Sequence, residues 1–234
     1  MTDILTFENI FFFLFSIGFW PSVFIFAKKY NNNSFIIKNY IHFLHAILFV
    51  VFYKNLDHSL LSYPIIFSLG FYSYDMVYIF YKIRKGDSCN KHLPYIIHHV
   101  IANYGLYLAL TQYFRQEIMH FYYLLEYSNF LLYISYHIQK SYPNQTIFIL
   151  VSECLQLVWY SYFRIIRFLV YWFQIKNLYF DAYFLIQLGV IVLFYMGAYW
   201  SFKLFKKCLN GLHIVTIQSK EPIDHKEYDN VKLD

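Results

Sequence analysis

The stretch KHLPYIIHHVIANYG, Lys91 to Gly105, decides how this chain is read. It is apolar enough for the interior of a bilayer, yet it carries His92 and the adjacent pair His98 and His99. Ionisable side chains inside a membrane span are costly unless they face a protein interior or a water-filled cavity, so the pair marks a site rather than a lipid-facing wall. Neighbouring helical residues point about 100° apart, so the two rings cannot share one partner. The expected arrangement has one imidazole in a central cavity and the other turned toward a neighbouring helix.

The rest of the chain extends the pattern. Of 234 residues, 59% are hydrophobic, 24% aromatic and only 14% charged, which excludes an ordinary soluble domain. The aromatic excess reads as lipid-facing and packing side chains, not as a ligand box. Because about 20 residues cross the hydrocarbon core, seven spans are predicted: Asn9 to Ala27, Asn39 to Tyr53, Leu61 to Tyr81, His92 to Tyr113, Glu117 to Ile138, Gln145 to Phe173 and Tyr179 to Phe205. The second is the shortest and is interrupted by His42 and His45, and the sixth is long enough to tilt.

Orientation follows from the basic residues. The first apolar run is preceded by Asp3 and Glu8 and followed by Lys28 and Lys29, the reverse of a cleaved signal peptide. With seven alternating spans, one side holds Lys28, Lys29, Lys38, Lys82, Arg84, Lys85, Lys91, Lys140 and six lysines of the last stretch; the other holds Lys54, Arg115 and Lys176. The positive-inside rule then predicts an all-α polytopic membrane helix bundle of about seven transmembrane helices, N-out and C-in. The sequons at Asn32 and Asn144 fall in loops predicted to be cytosolic, so glycans there would overturn this topology. Three parts are expected: residues 1–33 as an N-terminal transmembrane helix and cytosolic loop, 34–207 as the main transmembrane domain, and 208–234 as a polar cytosolic tail without a core of its own.

Several function classes are disfavoured. The basic residues lie between apolar runs instead of on one face, so no nucleic-acid partner is expected. Cys89, Cys154 and Cys208 form no CxxC and suggest neither a disulfide framework nor a zinc site. HFLH and HLPYIIHH lack the HxxxH and HxxHH spacings of a di-iron oxidase, so no metal is expected. Tyr179 to Phe202 contains no lysine for a retinal pigment, and receptor landmarks are missing.

The ionisable residues inside the spans are Asp75, His98, His99, His120, Glu126, Glu153 and Arg164. Asp75 lies seven residues before the basic hairpin KIRKGDSCNK, Lys82 to Lys91, and His98 lies seven after it. Both therefore sit about 10 Å in from the same end, with Glu153 at a similar level and Glu126 deeper. A histidine beside a carboxylate at matching depth can serve as a general base, its tautomer set by the acid, or as a pH-sensitive gate. His98, His99 and Asp75 are the catalytic candidates.

Five short motifs then occur in one order. IHFLHAILF around His45, SLGFYSYDMVYIF with Gly70 and Asp75, IIHHVIANYG, LLEYSNFLLYISY with Glu126 and Ser128, and YSYFRIIRF at Arg164 together resemble the TLC-domain membrane proteins, the family that includes the ceramide synthases. The resemblance runs from about Ser34 to Lys207. It implies a barrel of six or more helices around a lipid-sized cavity lined by the histidine pair, in the endoplasmic reticulum or a related intracellular membrane. His45, Glu126, Ser128, Asn129, Glu153 and Arg164 are the expected members of its cavity or polar layer.

Ceramide synthases carry further aspartates after the pair, whereas MHFYYLLEYSNFLLYISYH here has none. Ceramide synthesis is therefore not expected. The leading expectation is a TLC-domain protein that binds, senses or moves membrane lipids, without a cofactor. The alternative is a membrane acyltransferase using His98 or His99, with acyl-CoA as co-substrate.

Overall fold

In lipid every backbone N–H and C=O must be satisfied within the protein, so an apolar run has little choice but to be helical. The computed structural model describes residues 6–31, 33–57, 60–111, 115–179 and 184–218. Among these the apolar runs form α1 (Phe7–Lys28), α2 (Ser34–Asn55), α3 (Ser62–Arg84), α4 (Cys89–Leu110), α5 (Arg115–Ser128), α6 (Phe130–Ser141), α7 (Thr146–Ser161), a π segment (Tyr162–Arg167), α8 (Phe168–Tyr179) and α9 (Phe184–Gln218). With α5 and α6 taken as one rod, and α7, the π segment and α8 as another, the described residues make seven rods.

Four rods are long and apolar enough to cross a membrane: α1, α2, the rod from Thr146 to Ile175, and α9 from Ile186 to Leu212. In α3, α4 and α5–α6, tyrosines, histidines and carboxylates dilute the apolar windows. The second run, expected to be the shortest, extends to 22 residues. Its start is fixed by Asn33, whose Oδ1 accepts from the N–H groups of Phe35 at 3.0 Å and Ile36 at 3.3 Å. The α3–α4 hairpin turns at Gly86, whose φ of 104° suits a residue without a Cβ.

The run expected as one helix from Glu117 to Ile138 divides at Asn129. There the Ser128 hydroxyl donates to Leu125 O at 2.6 Å and the Asn129 N–H donates to Glu126 O at 3.1 Å, a tightened turn that ends α5. The sixth run stays continuous but widens into the π segment, a form that recurs at functional sites. α9 continues to Gln218, past the boundary expected at residue 208. The remainder of that tail lies outside the described residues.

Packing closes a ring in the order α2, α3, α4, α9, α7 and α6, back to α2, with α5 continuing the α6 rod. The seam between α4 and α9 is the loosest in that ring. α1 lies outside it against α3. The two helices approach closely at Gly70, where a Cβ would meet the side chain of Ser16, and the Ser16 hydroxyl donates to Phe67 O at 2.8 Å. Trp20, fully buried, then reaches inward and sets its ring edge-on against His45 and Phe71.

Candidate functional site

Asp75, only 2% exposed, is the junction of three helices. Its Oδ1 lies 2.9 Å from Lys38 Nζ and 3.4 Å from His42 Nε2, both on α2, and its Oδ2 lies 2.7 Å from His99 Nε2 on α4. The match in depth across the hairpin is thus realised with His99 as the partner, one position along from His98. The pair divides accordingly: His99 turns toward α3, while His98 faces the cavity. Nδ1 of each ring is buried without a hydrogen-bond partner. If His99 Nε2 carries the proton shared with Asp75, its Nδ1 keeps a free lone pair, the form a general base requires.

Glu126 is the second buried carboxylate. The Tyr72 hydroxyl makes a short hydrogen bond to its Oε1, and His45 Nδ1 lies 3.8 Å from its Oε2. His45 is itself clamped, with Nε2 3.0 Å from Ser68 Oγ and its ring stacked on Phe71 at 3.9 Å between centroids. These contacts join α2, α3 and α5 into one polar layer. A buried carboxylate is tolerable only with such partners.

Arg164 enters from the π segment and is 3% exposed. Its Nε donates to Ser128 Oγ at 2.8 Å, and its Nη2 reaches Asn129 Oδ1 at 3.3 Å and Leu125 O at 3.4 Å. The guanidinium therefore holds the turn between α5 and α6, where the helix leaves polar groups free. Its Nη1 has no partner. Gly197 of α9 packs on the same residue, where a Cβ would stand 3.3 Å from Arg164 Cβ.

Between these groups is a cavity of about 310 Å³. All six ring rods contribute to its wall, including His42, Tyr72, Glu126, Asn129, Gln156 and Arg164. Both His98 and His99 line it, and Lys203 and Lys207 stand on its α9 side. The volume lies at the lower end of the range for small-molecule sites.

The sequence-derived candidates therefore fall into three positions. His98, His99, Glu126, Asn129 and Arg164 are on the cavity wall. Asp75, His45 and Ser128 stand behind it and hold wall residues in place. Glu153 is buried away from the wall, its Oε1 2.9 Å from Lys207 Nζ. His120 pairs outside the cavity with the Tyr53 hydroxyl at 3.1 Å.

Lys38, Gln156 and Tyr160 were not read as site residues from the sequence. Lys38 counted as a loop charge, and tyrosines are too frequent here to stand out. A usable signal was the four-residue spacing of Gln156, Tyr160 and Arg164, which sets three polar side chains on one face of the rod. No group of three or more His, Cys, Asp and Glu side chains arranged to hold a metal occurs among the described residues.

The family model for the TLC domain matches residues 51–215. No curated protein and no solved structure gives a significant match.

Proposed function

We propose, for a chain that belongs to the TLC-domain family of membrane proteins, that the cavity inside its helix ring takes up a membrane lipid, and that the protein thereby binds, senses or moves lipids and influences membrane composition. The carrying observation is the cavity of about 310 Å³, with His98, Glu126 and Arg164 on its wall, inside an integral membrane bundle. Charged groups are retained inside such a bundle where they line a pathway or a binding site. A lipid brings a polar head to those groups and keeps its chain among apolar side chains. On this reading the basic hairpin faces the cytosol, and the host membrane is the endoplasmic reticulum or a related one.

The test is mass spectrometry of lipid carried through purification by the wild type and by the His98→Ala, His99→Ala double variant. Specific lipid in the wild type that is lost or changed in the variant supports the proposal. Lipid content identical in the two assigns the pair to packing.

A second reading is favoured by the His99 to Asp75 contact of 2.7 Å and the unpartnered Nδ1 atoms of both histidines. In it, an imidazole takes the proton of an acceptor hydroxyl or amine as that atom bonds to the acyl carbon of acyl-CoA. The thioester C–S bond breaks, and coenzyme A leaves as its thiol with the proton. Arg164 Nη1 is the nearby charged donor suited to the developing oxyanion. Incubation with labelled acyl-CoA and candidate lipid acceptors decides it: no acylated product from a protein that still carries lipid removes this reading and leaves the first.

A further inference from the structure

We infer that the bound lipid is a single-chain acidic amphiphile, its carboxylate or phosphate head held by Gln156, Tyr160 and Arg164 and its chain lying in a second cavity along the α4–α9 seam. The inference rests on the lipid-binding reading above and specifies its ligand.

The head is argued from groups left without partners. Gln156 Nε2, Tyr160 Oη and Arg164 Nη1 are all buried, none makes a hydrogen bond within the protein, and all three residues line the cavity. The residues are only 2%, 3% and 3% exposed. Buried polar groups are nearly always satisfied, so three donors gathered on one helix face call for an acceptor-rich group from outside the chain. The nearby carboxylates are already engaged, Glu126 with Tyr72 and His45, and Glu153 with Lys207. Among the described residues Arg164 forms no ion pair with a carboxylate; its bonds go to a hydroxyl, an amide and a carbonyl. Lys203 adds positive charge on the same wall.

The chain is argued from the second cavity. It measures about 300 Å³ and is walled almost wholly by apolar side chains, among them Ile101, Leu108, Ile118, Phe168 and Leu193. It shares wall helices with the polar cavity, residues adjacent in sequence lining one cavity each: His99 and Val100 on α4, Glu126 and Leu125 on α5. From His98 to Leu108 the helix rises about 15 Å, room for on the order of a dozen methylenes. The space depends on Gly189, where a Cβ would stand 3.3 Å from Ile101 Cγ2. A cavity of about 300 Å³ suits one chain.

The test uses the full chain in nanodiscs of neutral phosphatidylcholine, with four twelve-carbon probes competing against radiolabelled dodecanoate. These are dodecanoate, lauroyl lysophosphatidic acid, the zwitterionic dodecylphosphocholine and uncharged dodecanol. The two acidic probes are expected to bind at least tenfold more tightly than dodecanol, and their order identifies the head as carboxylate or phosphate. Gln156→Leu with Tyr160→Phe is expected to cost the acidic probes about tenfold and dodecanol, whose hydroxyl accepts more weakly, less. Gly189→Leu is expected to weaken all four.

The headgroup comparison on the unaltered protein needs no variant to fold. Equal binding of acidic and uncharged probes overturns the inference while leaving lipid binding intact. So does a dodecanol affinity indifferent to Gly189→Leu in a variant that elutes as the wild type does. Failure of all four probes to bind also overturns the inference, whereas the lipid-binding function falls only if no specific lipid is carried through purification.

Discussion

Replacing Asp75 by alanine removes the acceptor shared by three helices, and the cost can be worked partner by partner. His99, 4% exposed at its side chain and 2.7 Å from the carboxylate, is left with a buried nitrogen it cannot satisfy, worth about 1–3 kcal/mol. Lys38 is 31% exposed at its side chain, so its ammonium can turn toward the interface, and its loss is at most about 1 kcal/mol. His42, at 3.4 Å, adds little. The sum, about 1–4 kcal/mol, corresponds to a fall in melting temperature of about 2–16 °C for a chain of this length. Asp75→Asn keeps an acceptor for His99 and should lose about half as much. Thermal unfolding in detergent, followed by tryptophan fluorescence, measures both. A melting temperature for Asp75→Ala within about 2 °C of wild type, or a larger loss for Asn than for Ala, would refute the view that this carboxylate ties α2, α3 and α4 together.

Other outcomes follow from the same geometry. Gly70→Val should cost about 1–3 kcal/mol by forcing α1 away from α3, and Ser16→Gly in the same chain should restore part of the lost melting temperature. Arg164→Lys gives up the Nε bond to Ser128 and the fork to Asn129 and Leu125; hydrogen exchange should then rise around Asn129 before it rises elsewhere in α5 or α6. Cys89, exposed beside the basic hairpin, should react with a membrane-impermeant maleimide only from the cytosolic face, while buried Cys208 stays unlabelled. Labelling of Cys89 from the opposite face reverses the orientation derived from the lysines.

The fold was legible where the signal was local. Seven apolar runs gave seven rods, and the equal spacing of Asp75 and the histidine pair from one hairpin placed them at one depth, because a tight turn fixes the relative height of the helices it joins. The choice of His99 over His98 was not legible, since it depends on how α4 is rotated. The one local signal for that rotation is the alignment of His99 with His92 and Asn103 at i, i+7 and i+11, a stripe of three among apolar residues. The break at Asn129 was missed because a hydrophobic run outweighs one serine and one asparagine on any running average. It is the partners of Ser128 and Asn129, 35 residues or more along the chain in Arg164, that stabilise it. The α4–α9 seam joins segments far apart in sequence, and nothing in either segment alone announces the other.

The family match begins at residue 51, yet the structure is not modular at that point. Two of the three groups on Asp75, Lys38 and His42, come from earlier in the chain, as does His45 beside Glu126 and Trp20 above it. Evolutionary identity and physical autonomy therefore have different borders in this molecule. A fragment trimmed to the matching segment would keep Asp75 and Glu126 and lose cations and imidazoles that make them tolerable. Its failure to yield monodisperse protein, beside a well-behaved full chain, would reflect the loss of those electrostatic neighbours together with α1 and most of α2, a member of the ring.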